Sequence, residues 1–385
     1  MEEEPNGKLY GLSDGGEMKK TFVAVMNIPS PYRLHLLGEM ARQLKDRGVE
    51  FHCHFMNRGH KDRPTSWLNP KIDFAYTYWR NWGPDQHELN PGLVARLIVQ
   101  KPDWLLVGGA FDTFTAIGLS FFARARTKMC WIEGNAKSPG KLTGPMAWLK
   151  FATVSKYKYM AVPGRQGRAY LDVLASHAKR PFPTAVVLPN LIDEHRFKVK
   201  TESEQRNLKI CIIPARFDPV KGLKELFRAV EPEMLDGWEL VVMGHGPEES
   251  ATIKIVEERG LAEFVRVIHS VPYDEMPRHY ASADLCLIPS VRDQNPLAAV
   301  EALHAGLPLA LSDQAGNVDE AVTEGRNGWV LPVMDKTAYV AKLREVFETP
   351  VERLREMGRV SKAENAKFWE TKGAIKRFLD EVLEG

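Results

Sequence analysis

The sequence predicts an α/β protein of two units, each a parallel sheet flanked by helices. Short apolar runs rich in β-branched residues alternate with segments of helical periodicity, at the spacing of strand-helix-strand units. The alternation pauses at a proline-rich stretch, RPFPTAVVLPN (180–190), and then resumes. The chain has 385 residues, 44% hydrophobic and 26% charged. That is too long for one core and suits two domains of ordinary globular composition.

Residues 1–18 are polar, glycine-containing and aperiodic, and are expected to form a flexible leader; they hold no apolar signal-peptide core. The first domain is assigned to residues 19–190. TFVAVMNI (21–28) reads as a buried strand, PSPYR as a loop, and LHLLGEMARQLKDRG (34–48) as an amphipathic helix closed by Gly48. VEFHCHFM, WLLVGG and KMCWIEG read as further strands, with a helix over Thr113–Arg124. The boundary falls near Asn190 to Glu194. The second domain, residues 191–363, reads as strands LKICIIP, WELVVMG, FVRVIHS, DLCLIPS and LPLALSD. Between them lie helices GLKELFRAV, ESATIKIVEERG, EMPRHYASA and PLAAVEALHAG. Residues 364–385, with Phe368 and Trp369, are expected to form a C-terminal helix placed to pack back on the first domain.

Cys53, Cys130, Cys211 and Cys286 each sit inside a short apolar run, with no pair spaced for a metal or a redox couple. A disulfide scaffold and a zinc module are therefore poor readings. No apolar run reaches the roughly 18 residues of a membrane span, so the expectation is a cytoplasmic protein. The formal net charge of +2 is unevenly spread. Residues 1–190 carry 26 Lys and Arg against 16 Asp and Glu, and residues 191–385 carry 26 against 34. Thr113–Asn190 alone holds 12 basic and 2 acidic residues, a patch that attracts an anionic surface.

Open α/β sheets bind ligands at the carboxyl ends of their strands, so three loops of the second half draw attention. In ARFDPVKGLKEL, Arg216 and Lys221 bracket a loop ending at a helix start. Two cations and a helix N-terminus make an anion site suited to a diphosphate; ordinary surface cations on a solvated loop are the equal alternative. In MGHGPEES, Gly244 and Gly246 flank His245, which allows close backbone approach to a ligand or serves only the turn. Neither this loop nor GGAFDTFTAIG has the spacing of a dinucleotide site.

The third loop, PSVRDQNPLAAVEALHAGLP, is the most informative. Pro296 fits the first helical position, and Asp293 and Glu301 are placed to look into one crevice and hold two hydroxyl pairs of one ligand. The plainer alternative has Asp293 as a helix cap and Glu301 in solvent. The apolar surroundings of Glu301 argue against leaving it unpaired.

These stretches, with HYASADLCLIPSVRDQNPLAAVEALHAGLPLALSD and EAVTEGRNGWVLP, resemble the donor-binding domain of family 4 retaining glycosyltransferases. The resemblance is strongest over Ile210–Pro332 and weaker in the first half, where NIPSPYR and VVLPNLID still fit. It implies the GT-B architecture of two facing Rossmann-like domains. It further implies sugar transfer from a nucleotide diphosphate sugar to a glycan or lipid-linked saccharide in cell-envelope polysaccharide synthesis, with retention and without metal or other cofactor.

Carried over by residue, Arg216 and Lys221 would hold the diphosphate, Glu301 the ribose and Asp293 the transferred sugar. Gly244, His245, Gly246, Asn295, Pro296 and Leu297 would line the donor site. HSVPYDEM is placed against the base, with no choice between uracil and guanine. Asp293 departs from the usual glutamate, and one methylene less sets its carboxylate back by roughly 1.5 Å. Where relatives carry a histidine near the sugar, this chain has Glu133, which stands as a donor or acceptor contact or as a structural acid. Arg33 and His35 are the candidates for acceptor binding.

In LTGPMAWLKFATVSKYKYM, Trp148, Phe151, Tyr157 and Tyr159 interleave with Lys150, Lys156 and Lys158. The pattern suits a lipid headgroup layer, or a helix with its aromatics inward and its lysines in water. The basic half is accordingly expected to meet an anionic membrane or a lipid-diphosphate acceptor at the inner face of the membrane, and nucleic acid is not an expected partner. Two other classes remain beside the transferase: a nucleotide-sugar epimerase of the same architecture, and an inactive nucleotide-sugar or membrane-binding module.

Overall fold

The computed structural model describes residues 19–59, 70–109, 111–178, 182–197 and 208–384; the expected leader lies outside them. The chain divides into two compact units, Met1–Leu191 with Thr371–Gly385, and Ile192–Glu370.

The first unit is built on seven parallel strands, β1 (Thr21–Met26), β2 (Glu50–Phe55), β3 (Tyr76–Tyr78), β4 (Trp104–Gly108), β5 (Thr127–Trp131), β6 (Tyr159–Val162) and β7 (Thr184–Val187). Their order is β3-β2-β1-β4-β5-β6-β7. The order reverses between β1 and β4, which opens a crevice at the carboxyl ends of those two strands. β1, β4 and β6 are almost wholly buried, which is why they read in sequence as continuous apolar runs.

The second unit holds six parallel strands, β8 (Lys209–Pro214), β9 (Trp238–Met243), β10 (Val265–Ile268), β11 (Leu285–Ile288), β12 (Leu309–Ser312) and β13 (Gly328–Leu331). Their order is β10-β9-β8-β11-β12-β13, with the reversal between β8 and β11. Trp238, Phe217, Phe227 and Leu240 form the heart of its core. The four cysteines lie buried and free in β2, β5, β8 and β11.

The structure differs from the sequence expectation in several places, β3, β6 and β13 being strands that the sequence reading did not name. The proline-rich stretch contains an edge strand: β7 pairs with β6 from Thr184 to Val187. The final α-helix spans Thr371–Glu384 rather than starting at 364, because residues 365–369 form a 3-10 turn in the second unit with Trp369 fully buried. The aromatic and lysine stretch splits. Phe151, Tyr157 and Tyr159 are buried, Trp148 is exposed, and Lys150 is buried between the rings of Phe111 and Tyr170 rather than in water.

Within the first unit the C-terminal helix lies along helix Pro31–Asp46. Gln43 donates to the Lys372 carbonyl at 2.9 Å, Trp104 Nε1 to the Val382 carbonyl at 3.2 Å, and Arg47 pairs with Asp380 at 2.5 Å.

Candidate functional site

In the second unit the strand reversal sets the loop after β8 beside the loop after β11, and glycines let these backbones touch. A Cβ on Gly222 (φ 70°) would lie 2.2 Å from the Pro289 carbonyl oxygen. One on Gly244 would lie 2.3 Å from the Ala215 oxygen, and one on Gly246 would lie 2.7 Å from the Phe217 oxygen. The β8 loop is thus held between the loops after β9 and β11. Phe217 N–H donates to the His245 carbonyl at 3.1 Å, and Arg292 N–H to the Val220 carbonyl at 3.1 Å. Gly244 and Gly246 serve loop-to-loop contact as well as a turn.

This frame brings together Lys221 and Asp293, 72 residues apart. Lys221 Nζ donates to Asp293 Oδ2 at 2.6 Å, and Ser290 Oγ donates to the same oxygen at 3.3 Å. Asp293 also bridges to Ala315 beside β12, and Gly316 N–H donates to its carbonyl at 3.1 Å. Arg216 keeps its own partner, Asp218, at 3.2 Å, with more than half of its side chain in solvent. His245 is exposed, with Nδ1 3.1 Å from the His269 carbonyl.

Pro296 is the cap of helix Leu297–Ala305, one position earlier than the sequence suggested. Asn317 donates to the Pro296 carbonyl at 3.1 Å. Immediately before the cap, Asn295 is 8% exposed and both its amide atoms lack a hydrogen-bond partner among the described residues. A buried carboxamide in that condition is costly unless something else meets it.

Glu301 sits just over one turn into this helix. Tyr280, fully buried and edge-on to Phe197 at 5.5 Å, donates its hydroxyl to Glu301 Oε2 at 2.6 Å. Burial pushes the Glu301 carboxyl above its ordinary range, while the Tyr280 hydrogen bond and the Arg196 charge pull it back. Arg196 lies over the Tyr273 ring at 4.0 Å and donates to the Tyr273 carbonyl at 3.0 Å and to Asp274 Oδ1 at 2.8 Å. Tyr280 and Arg196 are the residues that sequence reasoning missed here. Their links to Glu301 exist only once helix Met276–Ala281, which carries Tyr280, and the 3-10 turn Glu194–Phe197, which carries Arg196, pack on helix Leu297–Ala305.

In the first unit, Arg33 and Glu133 meet. Arg33 Nη2 donates to Glu133 Oε1 at 3.2 Å, and its guanidinium lies 4.5 Å from the Trp131 ring centroid. Arg33 stands on the helix after β1, which flanks the crevice, and Glu133 follows β5, the strand next to β4. Asp112, in the loop after β4, went unnoticed in the sequence; burial holds its carboxyl above the usual range, opposed by Lys150. His35 turns elsewhere: its Nε2 is 3.0 Å from Thr371 Oγ1, so its ring secures the C-terminal helix. Among the described residues no group of three His, Cys, Asp or Glu side chains could hold a metal ion, and no helix is long and apolar enough to cross a membrane.

Residues 193–364 match the family model described as glycosyl transferases group 1. D-inositol 3-phosphate glycosyltransferase of Streptomyces avermitilis is 29% identical over 175 residues, 42% of this chain and 37% of that protein. The GDP-mannose-dependent alpha-(1-6)-phosphatidylinositol monomannoside mannosyltransferase of Mycolicibacterium smegmatis is 27% identical over 218 residues, 51% of this chain and 56% of that one. The chain thus spans well under two thirds of the length of these curated relatives. Among solved structures, sucrose-phosphate synthase from Thermosynechococcus elongatus superposes with a TM-score of 0.71 at 13% identity, covering 95% of this chain and 99% of that one. Anabaena HepE in complex with UDP gives 0.70 at 16% identity, covering 95% and 100%. These neighbours share the arrangement of two parallel sheets with interleaved helices.

Proposed function

From the match of residues 193–364 to the glycosyl transferases group 1 model, we propose that the chain is a retaining hexosyltransferase. It takes a nucleotide diphosphate sugar as donor and a saccharide or lipid-linked acceptor of the cell envelope. The observation that carries this is the meeting of Lys221 and Asp293 at 2.6 Å, at the strand reversal of the second sheet. A cation for phosphate and an acid for sugar hydroxyls stand side by side on loops locked by glycine contacts.

Arg216 and Lys221 bind the diphosphate and stabilise the charge that grows on it as the sugar bond breaks. Preorganised charge of this kind is usually the largest catalytic term. Asp293 exchanges its hold on Lys221 for hydroxyls of the sugar, and the buried amide of Asn295 gains a donor group as partner. Glu301, with one oxygen fixed by Tyr280, presents the other to the ribose hydroxyls. The departing diphosphate oxygen takes the acceptor proton on the same face, so no protein base is needed at that step. Arg33 and Glu133 bind the acceptor, and two protein cations supply the field for the leaving group without a metal ion. The enzyme works at the inner face of the membrane, in peripheral contact through the basic first unit.

Incubation with UDP- and GDP-hexoses tests the reading, with transfer or slow donor hydrolysis and a retained anomeric configuration as the expected result. An epimerised sugar from donor alone, or no binding to any nucleotide diphosphate, would overturn it.

A further inference from the structure

Among the described residues, eight of the ten large apolar side chains exposed to solvent belong to the first unit, and only Leu208 and Met334 to the second. Five of the eight gather on two neighbouring helices. Helix Phe114–Phe122 has no charged residue. Its buried side consists of Thr115, Ala116, Leu119 and Ser120, while Phe114, Phe121 and Phe122, at i, i+7 and i+8, stand 55%, 41% and 63% exposed. Helix Pro145–Val154 packs beside it and exposes Met146 (72%) and Trp148 (63%). An uncharged helix normally turns its aromatic stripe into a core. This one turns it outward.

Cations predominate in the sequence that carries the patch. From Thr113 to Ile132 the sequence contains no Asp or Glu. Lys156 Nζ lies 5.5 Å from the Phe121 ring centroid, and Arg124 and Arg126, directly after the aromatic helix, are exposed. Exposed rings flanked by Lys156, Arg124 and Arg126 match an anionic surface with hydrocarbon just beneath it, where aromatic bodies enter and the cationic groups stay at headgroup level.

We infer that the outer face of helices Phe114–Phe122 and Pro145–Val154 is a docking surface for a bilayer containing anionic lipid. Phe121, Phe122, Met146 and Trp148 enter the headgroup boundary, and Lys156, Arg124 and Arg126 lie on the phosphates. The inference sharpens the peripheral contact in the proposed function into a surface of named residues, and it requires no catalytic step.

Flotation of the full chain with phosphatidylcholine vesicles, with and without phosphatidylglycerol, tests it. Wild type is expected to float only with the anionic vesicles, and added salt to weaken the association. Phe122→Ser with Trp148→Ser is expected to weaken it about tenfold or more, since both rings leave the interface. Arg124→Glu with Lys156→Glu is expected to abolish the preference for phosphatidylglycerol. Failure of wild type to float with anionic vesicles, or equal flotation of the serine variant, overturns the inference. So does lipid-free sedimentation in which wild type self-associates and the serine variant does not, which would make the patch a protein interface. Thermal shift with UDP or GDP separates this from the donor reading. Vesicle binding without any nucleotide effect would sink the transferase proposal alone, and an intact nucleotide effect without vesicle binding would sink the docking surface alone.

Discussion

Replacing Tyr280 by Phe removes one oxygen atom and tests how Glu301 is held. The hydroxyl is buried and 2.6 Å from Glu301 Oε2, a short contact from a neutral donor to a carboxylate. Hydrogen bonds to charged groups contribute about 1.5–3 kcal/mol, so the variant should lose about that much at neutral pH. At roughly 2–4 °C per kcal/mol for a domain of this size, its melting temperature falls by about 3–12 °C. The loss depends on pH. Burial already raises the Glu301 carboxyl above its ordinary value, and the hydroxyl opposes that rise. A carboxyl with a raised folded pKa favours folding most below its unfolded pKa, about 4.3, and that contribution disappears as pH climbs through the folded pKa. Without the hydroxyl the folded pKa moves higher, so the variant's deficit is largest near pH 7 to 8 and shrinks toward pH 5. Differential scanning calorimetry at the two pH values reads this directly, and nucleotide titration reads the functional side. With its rotamer released, Glu301 should hold ribose about tenfold more weakly, or 1.4 kcal/mol. A deficit independent of pH, together with unchanged nucleotide affinity, would mean that Tyr280 only fills space and that Glu301 is not the group it positions.

Three further outcomes are expected. Arg216→Ala should lower turnover by about 10²-fold or more, as for loss of one preorganised donor, while its exposed side chain leaves stability nearly unchanged; near-normal single-turnover rates would remove its role. Gly222→Ala places a Cβ 2.2 Å from the Pro289 oxygen at a left-handed backbone position, so urea denaturation should show a loss of roughly 2 kcal/mol or more. Weakened nucleotide affinity should accompany it, because the same contact locks the β8 and β11 loops. Exhaustive treatment with EDTA should leave the transfer rate unchanged, and a rate restored only by added divalent cation would refute the metal-independent reading.

Legibility in the sequence followed burial. Strands covered on both faces, such as FVAVM in β1 and LCLI in β11, appear as unbroken apolar runs and are found by composition alone. β7 was hidden because edge strands tolerate flanking prolines, and Thr184 and Ala185 give little apolar signal. β6 was hidden inside a stretch whose lysines drew the eye to charge, although Lys150 is buried between rings. In the candidate site, the places of Lys221 and Asp293 after β8 and β11, and of Glu301 on helix Leu297–Ala305, were readable because each comes shortly after its strand. What their neighbours do was not readable. Tyr280 reaches Glu301 across 21 residues, and Arg33 reaches Glu133 across 100. His35 looked like a site residue from its place after PSPYR, yet its position on helix Pro31–Asp46 turns it to Thr371.

Gripping of the donor's terminal phosphate by Arg216 and Lys221 is the claim on which the rest depends. Calorimetric titration of UDP against UMP, and of GDP against GMP, isolates that phosphate. Wild type should bind the diphosphate of the correct base far more tightly than its monophosphate, and Arg216→Ala with Lys221→Ala should bring the two affinities together. An undiminished preference for the diphosphate in the double variant would contradict the account.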